Sequence, residues 1–420
     1  MANIRAVKGM NDILPDEMPK WHHVEGKFRA LCERYGFEEV RTPIVEPTDL
    51  FVRSIGEATD IVEKEMYTFI DKGDDSLTLR PEGTASSVRA YVEHTVGARQ
   101  PVTKWYYVGP MYRRERPAKG RYRQFYQAGV EVYGDPGPFV DAEIIDMVVG
   151  FVKDLGIEDV EVLVNSLGSG ETRTRYRDAL VEYLEPRKHE LSEESQRRLL
   201  LNPLRILDSK DPKDAAIAGG APSILEFLSD EDRVHWDGLR ATLDALGTPY
   251  RVDARLVRGL DYYSRTLFEV RGRTGLGAQN AILGGGRYDG MIEQLGGQAT
   301  PSIGFAMGLE RILMAMPEVA TPPRLDAVVL MTHAELRTKA VVLSRALRNA
   351  GLRIESDLRG TSLKSQMRRA DKLGARVALI LGESELARDA VQWKDLAKAE
   401  QGEISIHEVA DFVRARCAAP

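Results

Sequence analysis

Residues 109–131 read GPMYRRERPAKGRYRQFYQAGVE. The apolar segments on either side of the basic middle, Lys104–Val108 and Phe125–Val132, predict two antiparallel strands joined by a charged loop. Between Arg113 and Arg123 stand five arginines and one lysine against the single acid Glu115, in a chain whose formal charge is −6. A local reversal of sign this large suits a polyanion. Arginines at the strand ends match the oxygens of a triphosphate, and the loop matches a nucleic-acid backbone. The plain alternative is a solvated basic hairpin.

Three further stretches bear on the same chemistry. Residues 256–263 read LVRGLDYY between two β-like runs, Pro249–Leu256 and Thr266–Arg271. A guanidinium delivered at a strand end into a tyrosine-lined pocket suits a small zwitterion, because it clamps a carboxylate or phosphate while phenol hydroxyls read a polar side chain. Residues 304–311, GFAMGLER, lead into the apolar helical stretch Ile312–Met316. Glycines there permit close backbone approach, and Arg311 at a helix start can face phosphate. Residues 281–290, AILGGGRYDG, offer three consecutive glycines and Tyr288 where a ligand can press on backbone.

At 420 residues, about two or three domains are expected. A composition of 43% hydrophobic and 29% charged residues is that of a soluble globular protein. No apolar run approaches the roughly 20 residues that span a bilayer, and no signal-like segment opens the chain, so a cytoplasmic location is expected and no membrane. Cys32 and Cys417 make neither a disulfide framework nor a Cys-x-x-Cys zinc site, and none of the seven histidines has His-x-x-x-His spacing. No structural transition metal is expected.

Along the chain, Pro19–Tyr35 has helical periodicity and Phe37–Pro43 reads as a strand ending at proline. Glu161–Ser166 reads as a buried strand, followed by a charged helical block from Glu171 to Leu201 that runs on to about Ile224. Pro317–Arg324, with three prolines, reads as a linker. Beyond it strands (Asp326–Met331, Arg353–Ser356, Val377–Leu381) alternate with helices (Glu335–Ala350, Ser362–Leu373), which implies a small α/β domain. Residues 326–420 hold 16 Lys+Arg and 13 Asp+Glu, a difference of +3; between Arg359 and Arg376 six basic residues face one acid, Asp371. Such a helix suits the phosphates of an RNA loop.

In this order the pieces resemble the class II aminoacyl-tRNA synthetases, specifically the histidyl-tRNA synthetase family. Arg41-Thr42-Pro43-Ile44-Val45-Glu46 with Leu50-Phe51 is similar to the first class motif, Tyr112-Arg113-Arg114-Glu115 to the second and Gly308-Leu309-Glu310-Arg311 to the third. LVRGLDYY and GGGRYDG (284–290) resemble the two histidine-specific signatures. The resemblance spans nearly the whole chain and implies an α+β catalytic domain on a mostly antiparallel sheet (1–170 and 225–320). It also implies a helical insertion domain (171–224) that embraces the tRNA acceptor stem and a C-terminal α/β anticodon-binding domain (326–420). A homodimer is implied too, with the segment around Pro43 at its interface.

The resemblance implies ATP-dependent ligation of L-histidine to the 3′ end of histidine tRNA through a histidyl adenylate. Arg113 then contacts the α-phosphate, Arg311 the γ-phosphate, and Arg258 bridges amino-acid carboxylate and α-phosphate. Glu115 accepts from the adenine amino group and Phe125 stacks on the ring. Glu82, Thr84 and Gln127 hold the α-ammonium, Glu131 and Tyr263 grip the imidazole nitrogens, and Tyr262 and Tyr288 complete the histidine pocket. Arg116 in the second-motif loop is the best candidate to read the tRNA end, and Lys364 and Arg368 lie in the expected anticodon helix. Magnesium accompanies ATP, and no metal is expected to be held by side chains alone. Two other classes remain open: a regulatory relative that charges no tRNA, and a sensor that binds tRNA without catalysis.

Overall fold

The structure, a computed structural model, describes residues 3–56, 59–272, 280–318 and 324–418. Two compact units divide at Glu318/Val319. Residues 319–323 of the expected linker lie outside the described residues.

In the first unit the strands are β1 (Glu38–Glu39), β2 (Val45–Pro47), β3 (Tyr67–Ile70), β4 (Ser76–Leu79), β5 (Thr103–Tyr112), β6 (Gln124–Tyr133), β7 (Val160–Ser166), β8 (Arg251–Val252), β9 (Ser264–Gly272), β10 (Ala281–Arg287) and β11 (Ser302–Gly308). The main sheet runs β1-β5-β6-β11-β10-β9-β7-β8. All pairings from β5 to β7 are antiparallel, and the two-residue strands β1 and β8 join its edges in parallel. The hairpin β5–β6 forms as the sequence predicts, with Gly109 opposite Gln127 and Trp105 opposite Glu131. A three-stranded sheet, β2-β4-β3, stands apart.

Side-chain alternation along these strands separates core from site. On β6, Ala128, Val130 and Val132 join one apolar cluster with Phe268 and Val270 of β9, Leu283 of β10 and Ile303, Phe305 and Met307 of β11. Helices Met18–Arg34, Pro138–Asp154 and Asp230–Leu246 cover that face through Trp21, Val24, Phe28, Ile144, Val148, Leu239 and Leu243. The intervening positions, Gln127, Glu131, Glu269, Gly284 and Gly304, carry polar groups or no side chain and belong to the opposite face. Helix Asp230–Leu246 has local signals at both ends. Ser229 accepts from Asp232 N at 3.2 Å, three acids occupy its first turn, and Gly247 closes it in the left-handed region at φ 69°.

The charged block becomes helices Gly170–Leu184, Glu193–Leu201 and Pro212–Ala218 with 3₁₀ turns at Glu185–Glu190 and Pro203–Asp208. Their apolar side chains, among them Tyr176, Leu180, Leu199 and Ile206, pack with Leu163, Leu256, Val257, Tyr263 and Leu267. They therefore lie beneath the LVRGLDYY stretch. Two expected strands shrink. Of Phe37–Pro43 only β1 pairs, because Phe37 turns into the core, and of Pro249–Leu256 only β8 does.

The second unit holds β12 (Leu325–Met331), β13 (Ile354–Ser356), β14 (Ala375–Leu381), β15 (Ala390–Asp395) and β16 (Gln401–Ser405), ordered β13-β12-β14-β15-β16. Helices Arg337–Asn349 and Leu363–Lys372 occupy the stretches expected of them. Among the described residues no helix is long and apolar enough to cross a membrane.

Candidate active site

On the polar face of the main sheet lies a cavity of about 170 Å³. Its lining includes Glu82, Thr84, Arg113, Glu115, Phe125, Gln127, Arg258, Tyr262, Tyr263, Tyr288 and Arg311. A wider opening of about 670 Å³ shares Arg113, Glu115, Arg258 and Arg311 and extends to Arg205 and Asp208 of the helical block.

At the floor, Glu131 is fully buried. Thr84 Oγ1 donates to its Oε1 at 2.7 Å, Tyr107 OH reaches the same oxygen at 3.4 Å, and Tyr288 OH donates to Oε2. Burial pushes the Glu131 carboxyl up to about 8, while the Tyr288 and Thr84 hydroxyls hold it back. Gly304 on β11 is its register partner, and a Cβ there would collide with Glu131 Oε2 and with the Val130 carbonyl oxygen. Tyr288 is set by its neighbour. Arg287, fully buried, pairs with Asp141 at 2.8 Å and donates to the carbonyls of Asp135 and Gly137.

At one wall, Glu82 accepts from Thr84 N at 2.7 Å and Ala85 N at 2.8 Å, holding the first amides of helix Thr84–Glu93 from two residues before it. Burial raises the Glu82 carboxyl, and those two amides oppose it. Gln127 Oε1 is buried without a hydrogen-bond partner among the described residues. The Tyr262 and Tyr263 rings lie 4.7 Å apart, and Tyr262 meets Tyr288 edge-on at 5.6 Å.

The cationic side gathers residues distant in sequence. Arg113 donates through Nε to Pro81 O at 2.9 Å, and its guanidinium lies 5.3 Å from the Phe125 ring centroid. Arg311 donates to Gly120 O at 3.2 Å and Ala281 O at 2.8 Å, so backbone holds it. Burial lowers the pKa of Arg311, and the charges of Arg121, Arg113 and Arg258 lower it further. Guanidiniums that oppose one another's charge in a half-buried cleft are arranged for an anion. Glu115 pairs with Arg121 at 2.9 Å. Glu310 accepts the Tyr126 amide at 2.9 Å, pinning the third-motif helix to β6; burial raises its carboxyl to about 7.

The chain matches the family model described as histidyl-tRNA synthetase over residues 9–312, and an anticodon-binding-domain model over residues 326–416. The chain belongs to the histidyl-tRNA synthetase family. A histidine–tRNA ligase of Sorangium cellulosum is 57% identical over 408 residues, covering 97% of this chain and 95% of that protein. The solved structure of the Staphylococcus aureus histidyl-tRNA synthetase without ligand superposes with a TM-score of 0.83 at 37% identity, covering 98% of this chain and all of that one. The Nostoc enzyme shares the fold at 21% identity, with a TM-score of 0.70. The chain is thus a class II ligase, and the reaction of its family is the ATP-dependent attachment of histidine to tRNA.

Of the side chains expected from sequence, Glu131 sits behind the cavity lining and meets it through Thr84 and Tyr288. Arg116 is exposed on the loop outside that lining. Lys364 and Arg368 are exposed, four residues apart on helix Leu363–Lys372 of the second unit. Sequence reasoning missed Tyr107, Glu269 and the bond from the Tyr126 amide to Glu310. Tyr107 and Glu269 fall on the polar phase of β5 and β9, the signal that would have found them. Among the described residues no group of three or more His, Cys, Asp or Glu gathers to hold a metal.

Proposed function

We propose that the cavity binds ATP and L-histidine side by side and joins them as histidyl adenylate before transfer to histidine tRNA. A carboxylate oxygen of histidine attacks the α-phosphorus, the α–β bridging bond breaks and pyrophosphate leaves. Anion approaches anion, so charge must be offset before any bond forms. Arg113, Arg258 and Arg311 around one cavity carry this reading. Arg113 meets the α-phosphate, Arg311 the γ-phosphate, and Arg258 spans carboxylate and α-phosphate, where preorganised cations favour the developing charge. Magnesium would accompany ATP as its counter-ion and offset part of the phosphate charge, with Arg113 and Arg311 holding the phosphates beside it.

Phe125 stacks on adenine and Glu115 accepts from its amino group. Gln127, whose Oε1 lacks a partner, takes the α-ammonium with Glu82 and Thr84. Tyr263 bonds one imidazole nitrogen, and Glu131, reaching past the Thr84 and Tyr288 hydroxyls that hold its oxygens, bonds the other, with Tyr262 and Tyr288 enclosing the ring. In the second step a 3′-terminal tRNA hydroxyl attacks the adenylate carbonyl and AMP leaves, a phosphate oxygen taking the proton.

Residues 1–170 and 225–320 then form the catalytic domain, 171–224 an insertion domain for the acceptor stem and 326–420 the anticodon-binding domain, with Arg116 at the tRNA end and Lys364 and Arg368 on the anticodon loop. The chain acts as a cytoplasmic homodimer. Exposed Ile44, Val45, Phe69 and Ile70 beside the small sheet support a self-association surface. Histidine-dependent exchange of pyrophosphate into ATP tests the chemistry. Exchange that requires histidine is expected, and tRNA binding without any exchange would leave the sensor reading instead.

A further inference from the structure

Arg258 stands in Asp253–Tyr263, a stretch without helix or strand. Its own backbone therefore does little to aim the guanidinium. Two neighbours on the rigid sheet do. Glu269 on β9, nearly buried, takes a hydrogen bond from Arg258 Nη1 on one carboxylate oxygen and from Arg271 Nε at 2.5 Å on the other. Gly284 on β10 is the register partner of Glu269, and a Cβ there would stand 2.5 Å from Arg258 Nη2 and 2.8 Å from Nη1. The guanidinium thus lies across the β9–β10 pair, on backbone that carries no side chain. Arg258 Nε has no hydrogen-bond partner among the described residues.

We propose that Glu269 is a positioning residue for Arg258, tethering one edge of the guanidinium to the sheet so that the remaining donors stay aimed at the reacting carboxylate and α-phosphate. Arg271 occupies the second oxygen of Glu269 and prevents the carboxylate from following Arg258 toward the ligand. A misplacement of about 1 Å in such a clamp costs on the order of 10²-fold in rate. The inference rests on the reading of Arg258 given above, and a double-mutant cycle separates the two.

Pyrophosphate exchange is measured for Glu269→Ala, Glu269→Gln, Arg258→Ala and both Glu269 changes combined with Arg258→Ala, with melting curves for each. Glu269→Ala is expected to lower kcat about 10- to 100-fold with a smaller change in KM for ATP, and Glu269→Gln, which keeps one acceptor oxygen, by an intermediate factor. Without Arg258, either change at position 269 is expected to cost no more than about twofold further. If Arg258→Ala itself leaves exchange untouched, the reading of Arg258 fails. If Arg258→Ala slows exchange but the position-269 changes lower kcat by the same factor in both backgrounds, or leave kcat unchanged, Glu269 does not act through Arg258. Should Glu269→Ala fail to fold, the isosteric Glu269→Gln pair decides the matter in the same way.

Discussion

Thr84 donates its hydroxyl hydrogen to Glu131 at 2.7 Å, tying the first turn of helix Thr84–Glu93 to the C-terminal half of β6. Glu131 thereby sits in a ring of hydroxyls behind the pocket assigned to histidine.

Replacing that carboxylate tests the specificity assignment. Glu131→Gln is expected to raise KM for histidine far more than KM for ATP in pyrophosphate exchange, because sites built to satisfy polar atoms discriminate by up to about 10⁴–10⁵. Equal changes in both constants would remove Glu131 from the imidazole site. A pH dependence follows as well. A carboxyl held near 8 in the fold keeps its proton while the unfolded chain, at 4.5, releases it. The stability linked to this raised pKa is fully present below 4.5 and is lost as pH rises toward about 8. The melting temperature of the parent protein relative to Glu131→Gln is therefore expected to fall across that interval. A flat difference would show that Glu131 titrates normally.

Gly304 leaves room for the same carboxylate. An added methyl would press on Glu131 Oε2 and on the backbone carbonyl of Val130, in the middle of a sheet that spreads only at a cost. Gly304→Ala is expected to lower the melting temperature, because backbone must shift as well, and in the folded enzyme to weaken histidine use more than ATP use, as Glu131→Gln does. Steady-state constants for the two substrates check it, and an unchanged KM for histidine would contradict the placement.

Lys364 and Arg368 belong to the second unit and are not among the residues that line the cavity. Lys364→Ala with Arg368→Ala is expected to raise KM for tRNA in aminoacylation and to flatten its salt dependence, each lost phosphate contact lowering the slope by about 1. Pyrophosphate exchange should stay at the parent rate. A fall in exchange would place these residues elsewhere in the mechanism.

Much of the architecture was legible because the strands alternate cleanly. Ala128, Val130 and Val132 against Gln127 and Glu131 define two faces of β6 from spacing alone, and the arginine run between the hairpin strands marked the cationic side of the cavity. What escaped depends on long-range pairing. Nothing near Glu269 in sequence points to Arg258, since their meeting requires the irregular stretch before β9 to fold back over it. Arg205 of the helical block bonding Asp261 at 3.0 Å, across 56 residues, is hidden for the same reason. The strand expected over Phe37–Pro43 failed at its ends, where Phe37 turns into the core and Pro43 lacks an amide hydrogen to pair, leaving two residues in β1. The pair β15–β16 went unread because polar Gln392, Lys394 and Glu403 interrupt its apolar pattern.

The central claim is that Arg258, with Arg113 and Arg311, offsets the repulsion between two negatively charged reactants. The most direct measurement is the rate of histidine-dependent pyrophosphate exchange in Arg258→Ala. The account predicts a drop in kcat of about 10²–10³, corresponding to about 3–4 kcal/mol at 25 °C, with ATP binding much less affected. An Arg258→Ala enzyme that exchanges at the parent rate, or one that loses only ATP affinity, would contradict it.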